Sequence, residues 1–356
     1  MIRPKNSSSI VTLADIARVA GLNTASVSRA LRGIEGKVSV ETRQRVEQIA
    51  REMGYRPNAV AASLRTKQTN LVGIIVPDLA NPLFGPIVQG LEAQLRRQGL
   101  LCLVVQTPDG SAERREAVLA LSDRLVSGLV ILAAEVDDPM LAAAHEAAMP
   151  VVLINRGAGD RRFSSIVNDD RESVRLVLEH LAGLGHRRVA HLAGPRTSST
   201  GQARRRAFED LSKSFGIDAQ VVQCAAFTRK AGAAATEQLL TEKSRPTAIF
   251  GANDLIALGA LAVLREQGVS VPGEVSLVGH NDMPLVDLVA PPLTTVHVEV
   301  EQMSRRAALM LVEHLRDRAQ PPSMHVLMPR LVVRGSTATS PPVAADNESS
   351  SNNLFP

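Results

Sequence analysis

The sequence predicts two folds in one chain: a small all-α domain at the N-terminus, then a larger α/β body of two doubly wound parallel-sheet subdomains. Three observations predict it. Two helical patterns broken by a glycine lie between Val11 and Arg32; the first seventy residues are far more basic than the rest; and after residue 70 short apolar runs alternate with amphipathic segments. At 356 residues the chain has room for two or three domains.

The first helical pattern carries Leu13, Ile16, Ala17 and Ala20, and Thr12 with Asp15 forms a capping box of the [ST]-x-x-[DE] kind. The turn falls at Gly21 and Leu22. Asn23 caps a second helix with Val27, Ala30 and Leu31 on its apolar side, so that Thr24, Ala25, Ser28 and Arg29 point outward. Short polar residues at the start of such a helix let its N-terminal end approach base edges closely, which is the requirement of a DNA recognition helix. A third helix is capped by Ser39, carries Val46, Ile49, Ala50 and Met53 as its stripe, and closes at Gly54 before Pro57. The competing reading of this pattern is a three-helix bundle used for protein contacts. Charge favours DNA: residues 1–70 hold twelve Lys or Arg and five Asp or Glu, a balance of +7, and against the whole-chain +4 the remainder is −3.

In the body, Leu71–Pro77, Leu100–Val105, Gly128–Leu132 and Pro150–Ile154 are nearly continuous apolar runs, separated by helix-length segments such as Leu83–Gln98. Continuous runs imply strands buried on both faces, hence a parallel sheet covered by helices. A second series begins near Asp169 with Arg188–Gly194, Thr247–Ala252 and Val275–His280. Two such halves predict a cleft between subdomains, with ligands outside the carboxyl ends of the strands.

TLADIARVAG and TASVSRAL in the first pattern, YRPNAVAASLRT from Tyr55 to Thr66, and GLGHRRVAHLAGP, ANDLIALGALAVLREQGVSVPGEVSLVGHND and PPLTTV in the body resemble the lactose-repressor (LacI/GalR-type) family of bacterial transcription regulators. The resemblance runs from Val11 to about Gly335. It implies a DNA-binding headpiece over residues 1–57 and a hinge helix and linker over 58–70. It further implies a periplasmic-binding-protein-like effector and dimerisation domain over 71–335. Within it the N-subdomain is expected at about 71–168 and 293–324, and the C-subdomain at about 169–292 and 325–335. Residues 336–356, rich in Ser, Pro and Asn, read as a disordered tail.

By the same resemblance Thr24, Ala25, Ser26, Ser28 and Arg29 face DNA in the major groove. Asn58 to Leu64 orders as a short hinge helix in the minor groove when two copies meet, with Ala61 on the groove and Leu64 as the wedge between central base pairs. Seven residues are too few for a stable isolated helix, and a Leu wedge unstacks a base step and kinks the duplex. The effector cleft carries over as Phe84, Asn155, Ser198, Thr200, Arg204, Phe227, Asn253 and Asn281. Each has a structural alternative: Phe84 and Phe227 as core, Asn253 as a helix cap, Arg204 as the partner of Glu209 or another carboxylate. Many relatives carry Asp where this chain has Asn155 and Asn281. Two amides in place of two anions, with Arg204 retained and Arg156 and Arg229 near in sequence, shift the expected effector from a sugar toward a sugar acid. Asp169, Asp170, Asp254 and Asp282 are close enough in sequence to offset that shift. With no Trp and Tyr55 as the only Tyr, extended aromatic stacking on a nucleobase is hard to build, which ranks purines lower.

The alternatives are an α/β enzyme or a solute-binding protein acting on a small sugar. PDLANPLFG after the first strand lacks GxGxxG, no GxxxxGK[ST] occurs, and the histidines show no ligand spacing, so no catalytic residue, metal or cofactor is expected. Cys102 and Cys224 offer neither a disulfide framework nor a CxxC motif. No leader-like or membrane-spanning apolar run is read. The expectation is a cytoplasmic homodimer that binds a near-palindromic operator in double-stranded DNA under the control of a small-molecule effector.

Overall fold

A computed structural model describes residues 11–31, 38–55, 69–107, 113–123, 126–132, 134–157, 162–242 and 244–341. Asn58, Ala61 and Leu64 of the expected hinge helix lie outside them. The chain divides into two units, Met1–Thr69 and Asn70–Pro356.

The first unit contains α1 (Leu13–Ala20), α2 (Thr24–Leu31) and α3 (Val40–Glu52). The capping box is present: the Asp15 amide donates to Thr12 Oγ1 (3.3 Å) and the Thr12 amide to Asp15 Oδ2 (3.0 Å). These bonds from Thr12, with Arg18 beside them, hold the Asp15 carboxyl below its ordinary pKa. Gly21 ends α1 at φ 66°, a left-handed conformation that glycine adopts without a Cβ penalty. Asn23 Oδ1 accepts from the Ser26 amide at 2.8 Å, and Ser39 Oγ from the Thr42 amide at 3.2 Å, so both expected caps are made. Ile16, Ala17, Ala20, Val27, Ala30, Val46 and Ala50 form the core. Burying an Ile or Val in this core contributes about 1.5–3 kcal/mol.

The second unit begins with β1 (Leu71–Val76), α4 (Phe84–Arg97), β2 (Leu101–Gln106), α5 (Glu113–Asp123), β3 (Gly128–Ile131), α6 (Pro139–Glu146), β4 (Val151–Asn155) and β5 (Ser164–Asn168). It continues with α7 (Asp170–Gly183), β6 (Arg188–Ala193), α8 (Ser199–Ser212), β7 (Asp218–Gln223), α9 (Arg229–Leu240), β8 (Ala248–Gly251), α10 (Asp254–Glu266), β9 (Ser276–Asn281), β10 (Thr294–His297), α11 (Val300–Arg316), β11 (Met324–Leu327) and β12 (Arg330–Val332). Two six-stranded sheets result, ordered β11-β5-β4-β3-β1-β2 and β12-β10-β9-β8-β6-β7, and every pairing is parallel except β10 with β12. In each sheet the strand order reverses beside the first strand, β1 or β6, which is the topological switch point where an open α/β sheet presents its crevice.

Four expectations are corrected. Leu100–Val105 was read as buried on both faces, but β2 is a sheet edge, with Leu101 56% exposed. The segment 293–324 was assigned whole to the first subdomain, yet β10 pairs with β9 in the second sheet. The second crossover therefore follows His297, not Pro292. The third falls at Met328 and Pro329, because β11 pairs with β5 and β12 with β10, so 324–327 belongs to the first sheet. The tail was expected to be disordered from Ser336, but residues 336–340 are strapped to the second subdomain. Ser336 Oγ donates to Leu277 O (2.6 Å), and the Ser340 amide donates to Leu184 O (2.8 Å).

Helices α9 and α10 cross on bare glycine. A Cβ on Gly259 would lie 2.1 Å from the Arg229 carbonyl oxygen, and one on Gly232 would lie 2.2 Å from that of Ile256. This approach fixes the loops before the two helices, which carry Phe227 and Asn253. Gly259→Ala should lower the melting temperature of the second unit by the equivalent of about 1–3 kcal/mol, because backbone must move. Gly85→Ala, where a Cβ would meet nothing within 4 Å beyond its own helix backbone and chain neighbours, is the control and should cost less. Differential scanning calorimetry of the full chain checks both.

Candidate functional site

The C-terminal ends of the strands gather the polar residues of the body. The β1–α4 loop brings Asn81, Leu83 and Phe84; β4 ends in Asn155 and Arg156; α8, after β6, carries Thr200 and Arg204. The β7–α9 loop brings Phe227, the end of β8 Asn253, and the end of β9 Asn281, and these ten residues line one cavity between the two sheets. Seven of the eight expected cleft residues are among them. The eighth, Ser198, stands one layer back: its hydroxyl caps α8 by accepting from the Gly201 amide and lies 2.8 Å from Thr200 Oγ1. Asn81 and Leu83 escaped the sequence reading, although the Asn in PDLANPLFG is a turn signal. Its Oδ1 accepts from the Leu83 amide at 3.1 Å, setting up the entry into α4. Arg156 joins the lining and Arg229 does not.

Strand ends aim the amides. Asn155 has φ 68° and Asn281 φ 115°, left-handed values that Asn tolerates better than most side chains. Asn253 serves two purposes: its Oδ1 accepts from the Ile256 amide at 2.9 Å, capping α10, and its Nδ2 donates to Phe227 O at 3.3 Å. Phe84 is buried in the core of the first subdomain and still shows an edge to the cavity.

Arg204 is almost fully buried. Its Nε donates to Asp170 Oδ1 at 2.7 Å and its Nη1 to Ala252 O, so the partner is Asp170 and not Glu209, which pairs with Arg205. Burial raises the Asp170 carboxyl against the opposing pull of the Arg204 guanidinium. The other acids near the cleft are spoken for. Asp169 caps α7, and Asp282 pairs with His297 and Arg334. Asp254 accepts from Thr295 Oγ1 (2.6 Å) and the Met283 amide (2.8 Å). Among the described residues no carboxylate lines the cavity. Across the cleft the Arg156 guanidinium sits 4.9 Å from the centre of the Phe227 ring, a cation–π contact that joins the two subdomains. The Val136 amide joins them a second time, donating to Thr197 O at 3.0 Å. The remaining space measures about 20 Å³, room for roughly one water, so a larger guest requires the subdomains to part or Arg156 to swing aside.

His280 and His191 lie beneath this floor, fully buried. Burial pushes His191 down to about 3 and His280 well below its ordinary value, so both are neutral, and neither lines the cavity. Burial likewise pushes the Cys102 thiol up to about 11 and that of Cys224 to about 12, leaving no thiolate nucleophile at neutral pH. No group of acidic, His or Cys side chains among the described residues has the arrangement of a metal site. No described helix is long and apolar enough to cross a membrane.

In the first unit Thr24, Ala25 and Arg29 are exposed on α2, Ser26 and Ser28 are half-buried, and Val27 and Ala30 face the core. Of the outward row that the sequence predicts, Thr24, Ala25 and Arg29 are exposed and Ser28 is only partly so.

A helix-turn-helix unit followed in the chain by a body of two sheets with a polar cleft between them has the make-up of a DNA-binding regulator. Residues 12–58 match the model described as bacterial regulatory proteins, lacI family, and residues 178–337 match the periplasmic binding protein-like domain. The chain is 36% identical to the HTH-type transcriptional regulator MalR of Streptomyces coelicolor over 92% of this chain and 97% of that one. It is 28% identical to the HTH-type transcriptional repressor CytR of Escherichia coli over 96% and 100%. The chain belongs to the LacI family. In fold it is similar to the lac repressor dimer bound to operator and the anti-inducer ONPF (TM-score 0.81, 29% identity, 93% of this chain and 100% of that one). It is also similar to the transcriptional regulator CelR in complex with cellobiose (TM-score 0.70, 30% identity, 92% and 99%). These relatives are regulators, which sets aside the enzyme and solute-binding alternatives.

Two predictions follow from the charges. Arg204→Ala strands a buried carboxylate and should cost about 3–5 kcal/mol, whereas Arg204→Ala with Asp170→Ala should recover part of that loss; thermal denaturation distinguishes the pair from two independent surface charges. Burial pushes the Asp254 carboxyl up to about 7 from the ordinary 3.8. Between those values the folded chain holds a proton that the unfolded chain has released, so stability falls as pH rises through the window. The melting temperature of Asp254→Asn minus that of the parent should therefore increase from about pH 4.5 to 7.5.

Proposed function

We propose that the protein is a cytoplasmic, homodimeric repressor whose effector is a sugar or sugar acid held by Phe84, Asn155, Thr200, Arg204, Phe227, Asn253 and Asn281, with Ser198 in support. One observation carries the reading: seven side chains chosen from sequence, spread over both subdomains, meet at one cavity that a guest can enter only if the subdomains part or Arg156 swings aside. Where the subdomains part, ligand binding there is coupled to subdomain geometry. Relatives bound to cellobiose and to ONPG support a sugar-like guest, and the relative bound to operator as a dimer supports the DNA reading.

In this mechanism Thr24, Ala25, Ser26, Ser28 and Arg29 of each copy read a half-site in the major groove of a near-palindromic operator. Asn58, Ala61 and Leu64 enter the minor groove between the half-sites. A second copy covers the exposed apolar edge of β2, where Leu101, Leu103 and Val104 would leave a monomer with an unpaired strand. The effector changes DNA affinity only by its differential affinity for the two arrangements of the body, typically about 1–3 kcal/mol.

The test is retardation of a DNA fragment enriched by repeated selection on the protein, with and without candidate sugars and sugar acids. A ligand that alters binding of the full chain and protects the body against thermal unfolding supports the reading; DNA binding indifferent to every ligand that binds the body would sink it. Leu64→Ala should weaken binding to the selected DNA by roughly tenfold or more and leave binding to random DNA of equal length within about twofold at the same salt, because the wedge acts only at the central step. Equal losses on both DNAs reject the wedge.

A further inference from the structure

A second cavity, of about 320 Å³, opens on the solvent-facing side of α8, and none of its residues lines the cleft. Arg196, Gln202, Arg205, Arg206 and Glu209 line it around Gly201. Three guanidiniums therefore face one carboxylate, and that carboxylate is already engaged: Arg205 Nε donates to Glu209 Oε1 at 2.8 Å. The next acid along the helix, Asp210, pairs with Arg171 instead. Two neutral amides keep these like charges together. Gln223 turns its Nε2 onto the carbonyl oxygens of Ala193, Gly194 and Cys224, which leaves its Oε1 facing Arg196 Nε and Arg205 Nη1, each at 3.4 Å. Gln202 donates from Nε2 to the Arg196 carbonyl oxygen at 2.7 Å, and its Oε1 accepts from Arg206 Nη2 at 3.3 Å. Charge-assisted bonds from a guanidinium to an anion run at about 2.7–2.9 Å. The contacts of 3.3 and 3.4 Å thus position the three forks without saturating them.

We propose that this cavity is a second ligand site, which takes the phosphoryl group of a small phosphate ester. Three guanidiniums against one carboxylate leave two positive charges uncompensated among the described residues. A phosphate monoester carries about −1.5 to −2 charge at pH 7 and presents three strong acceptor oxygens. It meets forks arriving from three sides at once, which a planar carboxylate with two oxygens does not. Size selects the source: the space lies at the lower end of small-molecule sites and suits an ester about as large as one sugar. All of the lining comes from one helix and the loop before it, so a guest enters without parting the subdomains. Position gives the site its consequence. Arg196 precedes Thr197, whose carbonyl accepts from the Val136 amide of the other subdomain, and Ser198, which caps α8. A phosphoryl group that gathers Arg196 toward Arg205 and Arg206 holds the loop through which the two subdomains touch.

The test uses the full chain at constant ionic strength, titrated calorimetrically with inorganic phosphate, D-glucose 6-phosphate and D-glucose. Phosphate and the ester are expected to bind. Arg196→Gln combined with Arg205→Gln should weaken both by roughly tenfold or more, and should leave any binding of D-glucose within about twofold. Glu209→Gln removes the carboxylate of the lining and should tighten phosphate and ester by roughly two- to tenfold, a gain that a merely structural role for these side chains does not produce. Asn155→Ala, in the cleft, should change neither by more than about twofold. Melting temperature without ligand verifies that each variant is folded. Binding unchanged by the arginine substitutions, binding lost in Asn155→Ala, or no gain in Glu209→Gln places the phosphate elsewhere and overturns the proposal. Absence of binding up to about 10 mM phosphate or ester overturns it as well. A phosphoserine peptide that binds more than about tenfold tighter than D-glucose 6-phosphate assigns the cavity to a phosphorylated protein and rejects the small ester as its ligand.

Discussion

The buried ion pair of Arg204 and Asp170 is the interaction on which the sensing body is organised. A guanidinium in this position cannot lose its proton, and little solvent reaches the buried Arg204, so the chain must surround it with acceptors. Asp170 at the first turn of α7 supplies one, and the carbonyl of Ala252 beyond β8 supplies another. Those two acceptors fix α7, α8 and the end of β8 relative to one another. Asn253, next in the chain, then caps α10, and α10 meets α9 at a distance set by two glycines. The position of Phe227 is inherited from that crossing. One wall of the cleft is thus the far side of a single desolvated charge.

The cleft is built from atoms that also fold the chain. Asn81, Ser198 and Asn253 each satisfy a backbone amide at a helix entry, and an entry left unsatisfied costs on the order of 1 kcal/mol. Their identities are constrained by local structure before any ligand is considered. In the proposed effector site, selectivity therefore falls to lining side chains that no helix entry requires. Changing specificity in this frame is easiest at Asn155, Asn281 and Arg156, whose side chains cap no helix.

How much of this was legible in the sequence depends on whether local pattern or pairing decides a feature. The headpiece was readable almost atom by atom, because Thr12, Asp15, Asn23 and Ser39 act within three residues of themselves. The strands LVGIIV, LVI and VVLIN announced themselves by composition. SSIVN in β5 and DAQVVQ in β7 did not, being short or edge strands with polar residues where the core makes no demand. The apolar run of β2 looks the same whether helices or a partner cover it. The crossovers at His297 and at Met328 and Pro329 were misplaced because sheet membership is a matter of hydrogen-bond partners, which no local pattern contains. Of the cleft, family motifs supplied the positions, but only coordinates reveal that Arg204 is neutralised by Asp170 while Asp282 and Asp254 turn elsewhere.

The contact between Arg156 and Phe227 has a consequence for sensitivity. If the cavity is the effector site proposed above, a guest can reach the ring and the guanidinium only in the fraction of molecules in which the two have separated. The apparent dissociation constant is the intrinsic one divided by that fraction. If separation occurs one time in ten, the concentration at which the regulator responds rises tenfold, with no change in any atom that touches the guest. On that proposed reading the strength of one internal stack sets the effector concentration at which the body responds. A lineage can shift that threshold by tuning how firmly the two side chains hold each other, leaving chemical discrimination intact.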